Sequence, residues 1–237
     1  MGKKLFVVSD IHGYYTEMVK ALDEAGFDKK NPEHKLICCG DYFDRGTENI
    51  EVMKYFERLP GAVLLRGNHE DLLLKLLETG RLLPHNYING TINTVTEFFG
   101  KYAIDPLTDT VDFSGKTSTA DRLYQFIQDT WNYYETDKYV FVHAWLPADI
   151  LTSRELIEYT DRDWEKARWI RWSEKYTGNP PLKDKILVCG HMPTFVAHRF
   201  DKTRTPECSD IFYGNGMIAI DACTHSSKRV NVLVLNE

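Results

Sequence analysis

Short, nearly unbroken apolar runs recur along the chain, and each stops at a cluster of glycine and polar residues. Residues 5–8, 36–39 and 62–65 read as buried strands. Between them, 15–25 and 49–59 carry apolar residues at helical spacing: Met18, Leu22 and Ala25 in the first, Ile50, Met53, Tyr55 and Phe56 in the second. Residues 72–77 are apolar nearly all round, as in a buried helix. Alternating strand and helix predicts an α/β fold with parallel strands and right-handed crossovers.

The pattern loosens over 80–136, where Pro84, Gly90, Gly100, Pro106 and Gly115 interrupt it and helices are expected at 91–99 and 119–131. This stretch reads as a helical insertion roofing the site. Strand-like runs resume at 139–142, 186–189, 217–220 and 230–235. Between them, 149–179 is rich in charge and holds Trp164, Trp169 and Trp172, whose near-helical spacing reads as core rather than substrate platform. No repeat or linker divides the chain, so 1–237 is expected to be a single domain.

Composition narrows the function classes. At 237 residues and 43% hydrophobic content the chain can bury a substantial core. A net charge of -6 argues against nucleic acid as a partner. No apolar run reaches membrane-spanning length, and the apolar stretch near Met1 is too short for a secretory signal. Five cysteines, with Cys38 and Cys39 adjacent and no C-x-x-C pair, point to a reducing cytoplasmic setting rather than disulfides or structural zinc.

The polar clusters at the strand ends carry the chemistry: Ser9-Asp10-Ile11-His12-Gly13, Gly40-Asp41-Tyr42-Phe43-Asp44-Arg45-Gly46, Gly67-Asn68-His69-Glu70, Val142-His143-Ala144 and Gly190-His191. Open α/β sheets gather ligands at the carboxyl ends of their strands, so these clusters are expected to converge. Asp10 and His12 can address one divalent ion, and Asn68, His143 and His191 a second, with Asp41 bridging the two. Imidazole, carboxylate and amide donors without thiolate suit manganese, iron or zinc. Burying these acids beside apolar strands would be costly without a cation among them.

These motifs, in this order, closely resemble the phosphoprotein phosphatase branch of the calcineurin-like metallophosphoesterases, whose pattern runs GDxHG, GDxxDRG, GNHE, a histidine after a strand, and GH. The resemblance implies a four-layer αββα sandwich and hydrolysis of phosphate monoesters by metal-activated hydroxide. It implies two divalent ions, most simply manganese: Asp10, His12 and Asp41 on the first, Asp41, Asn68, His143 and His191 on the second. It also assigns His69 as general acid, Asp44 as the group that holds its ring, and Arg45 as a phosphate clamp. A second phosphate arginine is expected at Arg171, in Trp169-Ile170-Arg171, with Arg168 nearby as the alternative. Asn89-Gly90-Thr91 with Thr94 resembles a stretch of the bacterial members. Ser9 stands where the family usually has Gly, and Ile220-Asp221-Ala222-Cys223 where it often has an Asp-Thr-Gly turn.

The activity implied is a serine/threonine protein phosphatase acting on phosphoproteins and small phosphoesters. The alternatives are a symmetrical dinucleoside polyphosphate hydrolase, which tends to have Asp at the place of Glu70 and to lack Asp44, a phosphodiesterase, or a non-catalytic scaffold that recognises phosphorylated partners. No residue specifies an oligomeric state.

Overall fold

The computed structural model describes residues 2–149, 152–198, 205 and 207–237. Strands β1 (Lys4–Val8), β2 (His34–Cys38) and β3 (Val63–Leu64) run parallel, with Val7 opposite Ile37 and Ile37 opposite Val63. A small hairpin, β4 (Ile104–Asp105) and β5 (Thr110–Val111), stands apart. The second sheet is ordered β6-β7-β8-β10-β9, from strands β6 (Tyr133–Glu135), β7 (Tyr139–Val142), β8 (Ile186–Cys189), β9 (Phe212–Gly214) and β10 (Met217–Ala219). Its β7, β8 and β10 are parallel. Strand β11 (Leu233–Asn236) returns to the first sheet, antiparallel to β1.

Alternation within each strand sorts the apolar side chains into three cores. Phe6, Val8, Leu36 and Cys38 face outward onto helices α1 (Tyr15–Glu24), α2 (Asn49–Glu57) and α3 (Asn68–Thr79), where Met18, Leu22, Val52, Phe56 and Leu73 meet them. Leu5, Val7, Ile37 and Cys39 face the other way, onto Phe141, Val188 and Ile218 of the second sheet. Behind that sheet, Val140, Val142, Leu187 and Cys189 pack on Leu156, Trp164 and Trp172. The result is the expected αββα sandwich. Both faces of each sheet are covered, which is why the strands read as continuous apolar runs.

Residues 80–136 belong to two layers. Helices α4 (Pro84–Ile88), α5 (Thr91–Phe99) and α6 (Thr117–Gln128) follow one another, and Val95, Phe98, Leu123 and Phe126 from the last two join the outer core, whereas β6 pairs with β7. Element ends differ from expectation where polar groups intervene. Helix α3 starts at Asn68, four residues before its apolar run, because its first turn carries site residues. The last strand starts at Leu233 rather than 230, since Asn231 spends its side-chain amide on the Ser209 and Ile220 carbonyls.

Candidate metal centre

Six parallel strands end on one edge of the sandwich, and each is followed by a polar side chain of the site: Asp10 and His12 after β1, Asp41 after β2, Asn68 after β3, His143 after β7, His191 after β8 and Asp221 after β10. To aim these side chains inward, the backbone turns sharply. Asp10, His12, Asp41, Asp44, Arg45, His191 and Cys223 all adopt positive φ, from 51 to 74°. Such conformations cost about 1–3 kcal/mol each in non-glycine residues and persist only where the surroundings enforce them. Elsewhere among the described residues only Asp109 and Lys228 share this conformation outside glycine. Close packing adds to the constraint: a Cβ on Gly190 would collide with Ser9 Oγ and an Asp10 carboxylate oxygen, so only glycine lets β8 approach β1 here.

Asp41 is the hub. Its Oδ2 lies 3.6 Å from His12 Nε2 and 3.9 Å from His69 Nε2, and its Oδ1 lies 3.5 Å from His143 Nε2. Two triads share it, His12–Asp41–His69 and Asp41–His143–His191, each with its donor atoms within 4.8 Å of one another. Asn68 Oδ1 sits 2.9 Å from His143 Nε2 and 3.0 Å from His191 Nδ1. Asp10 Oδ2 accepts from Ser9 Oγ and the His191 N–H, and Asp10 lines the cavity. All six expected ligands are thus gathered, and His69 stands with them.

The donor set fits divalent cations. His143 Nδ1 faces the Cys39 carbonyl at 2.8 Å and donates to it, which leaves Nε2 turned to the Asn68 amide at 2.9 Å. Burial, then His69 and Arg45, pushes His12 well below the usual imidazole range, and burial with His143 brings His191 down to about 3, so both keep lone pairs to offer. Burial works against ionised Asp41, yet His143, His69, His12 and His191 together outweigh it and hold the carboxyl low. Neutral imidazoles around an ionised carboxylate are the states that coordinate metal.

His69 is held differently. Its Nδ1 is 2.7 Å from Asp44 Oδ2, and burial, which disfavours the charged ring, is outweighed by Asp41 and by the Asp44 bond and charge, lifting it to about 9. Asp44 in turn accepts from Thr91 Oγ1 at 3.0 Å and Thr94 Oγ1 at 2.8 Å, on successive turns of α5. Glu70 accepts the N–H groups of Gly67, Asp41 and Tyr42 at 2.8–3.0 Å and so ties the start of α3 to the hub loop. Sequence reasoning gave Glu70, Thr91 and Thr94 no role in the site. Thr91 and Thr94, three apart on one helix face, were the available signal.

The arginines separate cleanly. Arg168 is 3% exposed and clamps Asp71 at 2.6 and 2.9 Å and Asn132 at 2.8 Å, so it is structural. Arg171 is exposed, paired with Glu174 at 3.4 Å, and close enough to His191 to help keep that ring neutral. Arg45 lines the cavity directly. Accordingly, Arg168→Ala should lower unfolding free energy by about 3 kcal/mol by stranding Asp71, while Arg171→Ala should leave the melting temperature unchanged and cut kcat/KM about 10- to 100-fold. Thermal melts and steady-state kinetics on both variants check this; a reversed pattern would favour Arg168 as the phosphate arginine. The tryptophans also divide: Trp164 and Trp172 are core as expected, but Trp169 is 47% exposed on the cavity rim.

A fold of this kind with a histidine–aspartate cluster on one sheet edge defines a metal-dependent hydrolase of phosphoric esters. The chain belongs to the calcineurin-like phosphoesterase family, whose model matches residues 3–226; the family is dinuclear and metal dependent. It is 24% identical over 229 residues to the asymmetrical bis(5'-nucleosyl)-tetraphosphatase PrpE of Bacillus subtilis, covering 87% of this chain and 86% of that protein. It is 36% identical over 78 residues to serine/threonine-protein phosphatase 2 of Escherichia coli, 33% of this chain and 34% of that protein. The chain spans only 18–39% of the length of several other curated relatives it matches. A solved protein serine/threonine phosphatase from Saccharomyces cerevisiae overlays with a TM-score of 0.57 at 12% identity, covering 100% of this chain and 80% of that one, a likeness of fold. Among the described residues no helix is long and apolar enough to cross a membrane.

Proposed function

We propose that this chain is a serine/threonine protein phosphatase that hydrolyses phosphate monoesters with two divalent ions, manganese by preference. The observation that carries the reading is the buried His69–Asp44 pair, 2.7 Å apart and braced by Thr91 and Thr94. A serine or threonine alkoxide is a poor leaving group and needs a proton as it departs. With Nδ1 held by Asp44, His69 presents Nε2 to the cavity as that donor. Arg45 and Arg171 would grip the phosphoryl oxygens, a task suited to the guanidinium fork. Asp10, His12 and Asp41 would hold one ion, and Asp41, Asn68, His143 and His191 the other. When bound, the pair would supply an activated water and neutralise phosphoryl charge. The imidazole, carboxylate and amide donors, with no thiolate among them, suit manganese, iron or zinc, and manganese is the simplest choice. In this reading residues 1–237 act as one catalytic domain with 80–136 inserted in it. Five cysteines with no C-x-x-C pair suit the cytoplasm.

Hydrolysis of dinucleoside polyphosphates is the competing reading, supported by the length of the match to PrpE. A nucleotide phosphate leaves without a proton at neutral pH, so the His69–Asp44 pair would contribute little there. The test is metal-depleted protein reloaded with Mn²⁺ and given a phosphothreonine peptide, a phosphodiester and a diadenosine polyphosphate in parallel. The peptide should be turned over fastest; preference for the diadenosine compound would overturn the assignment, and inactivity on all three would favour a non-catalytic scaffold.

A further inference from the structure

Trp169 departs from its neighbours. Trp164 and Trp172 are 2% and 3% exposed, whereas Trp169 is 47% exposed on the turn between helices α7 (Asp161–Ala167) and α8 (Trp172–Lys175), and it lines the cavity shared by His69, Asn68 and His191. Among the described residues no ring or cation packs on its indole, and the indole N–H has no hydrogen-bond partner. Burying apolar surface is worth about 25 cal/mol per Å², so the fold forgoes stability by leaving half of this side chain open to water beside the reaction centre.

The cavity itself encloses 200 Å³, below the roughly 300–1,000 Å³ of pockets that surround a whole ligand. It can receive a phosphoryl group and the first atoms of its ester. Whatever follows must cross the rim, where Asn89 and Pro193 offer small surfaces and Trp169 offers a broad apolar face.

We propose that Trp169 is a specificity residue that stacks on an aromatic side chain adjacent to the phosphorylated residue, so that the site selects phosphoserine or phosphothreonine peptides with an aromatic neighbour. The inference rests on the protein phosphatase reading and names its substrate class. Stacking of this kind favours the aromatic peptide by roughly 2- to 12-fold in kcat/KM.

The experiment compares Mn²⁺-loaded wild type, Trp169→Ala, Trp169→Leu and Trp169→Phe on two phosphothreonine peptides that differ only in Phe or Ala beside the phosphothreonine, with diadenosine tetraphosphate as a third substrate. The measured quantity is the Phe/Ala ratio of kcat/KM, which a general loss of activity does not move. Wild type and Trp169→Phe should show the preference; Trp169→Ala and Trp169→Leu, the latter apolar but not planar, should bring the ratio close to one. A wild-type ratio of one, or a ratio that survives both Trp169→Ala and Trp169→Leu, overturns the stacking role while leaving the phosphatase reading intact. Turnover of the diadenosine compound with neither peptide cleaved overturns both.

Discussion

Asp41→Asn is expected to fold, to lose tight binding of divalent ions, and to lose about 10³-fold or more in turnover. Asp41 is common to both triads: His12 and His69 lie 3.6 and 3.9 Å from Oδ2, and His143 lies 3.5 Å from Oδ1. Oδ1 also accepts the His69 N–H at 3.1 Å, in the first turn of α3. An asparagine oxygen can still take that bond, so the helix start survives. What disappears is the negative charge that both ions would share. A metal pair contributes several kcal/mol to charge stabilisation in the transition state, and each 1.36 kcal/mol is tenfold in rate. Elemental analysis after dialysis against Mn²⁺, together with kcat on a phosphothreonine peptide, decides the matter. Wild-type metal content with turnover within tenfold of wild type would remove Asp41 from the centre.

His69→Asn should separate chemistry from metal binding. The substitution keeps both expected ion sets, Asp10, His12 and Asp41 on one side, Asn68, His143 and His191 on the other. It removes the ring nitrogen that Asp44 orients. Turnover of serine and threonine phosphates should fall about 10²- to 10⁴-fold, the usual worth of a placed general acid, whereas an aryl phosphate with a strongly acidic phenol should lose far less. Stability should fall too, because Asp44 remains buried with two threonine hydroxyls but no cationic partner. The diagnostic readout is the dependence of rate on leaving-group acidity, which stability loss alone does not change. Equal losses on both ester types would mean that His69 serves as a ligand, as its place in the His12–Asp41–His69 triad also permits.

Much of the site was legible because of how the sandwich is built. Strands covered on both faces must be apolar throughout, so the points where 5–8, 36–39 and 186–189 stop are sharp in the sequence, and the expected ligands sit within a few residues of them. The run at 217–220 ends in Asp221 by the same rule, and this carboxyl, 4% exposed, lines the cavity. Burial, then Asp10, pushes it well above the usual carboxylate range. Helix ends were harder to place, because polar residues such as Asn68, His69 and Glu70 are buried in α3 for the sake of the site and do not look like core.

By itself the sequence determined the α/β class, the order of the strands' endings, and which residues could ligate metal, because burial pattern and residue chemistry are local properties. Only the tertiary structure buried Arg168 against Asp71 and left Arg171 exposed, brought Thr91 and Thr94 from α5 against Asp44, and turned Trp169 to the rim while its two neighbours went inward. Those outcomes depend on which surface of one segment meets a partner far along the chain. Arg168 and Asp71 are 97 positions apart, and Thr94 and Asp44 are 50 apart. No spacing rule within either segment encodes such a meeting; the packing of the layers does.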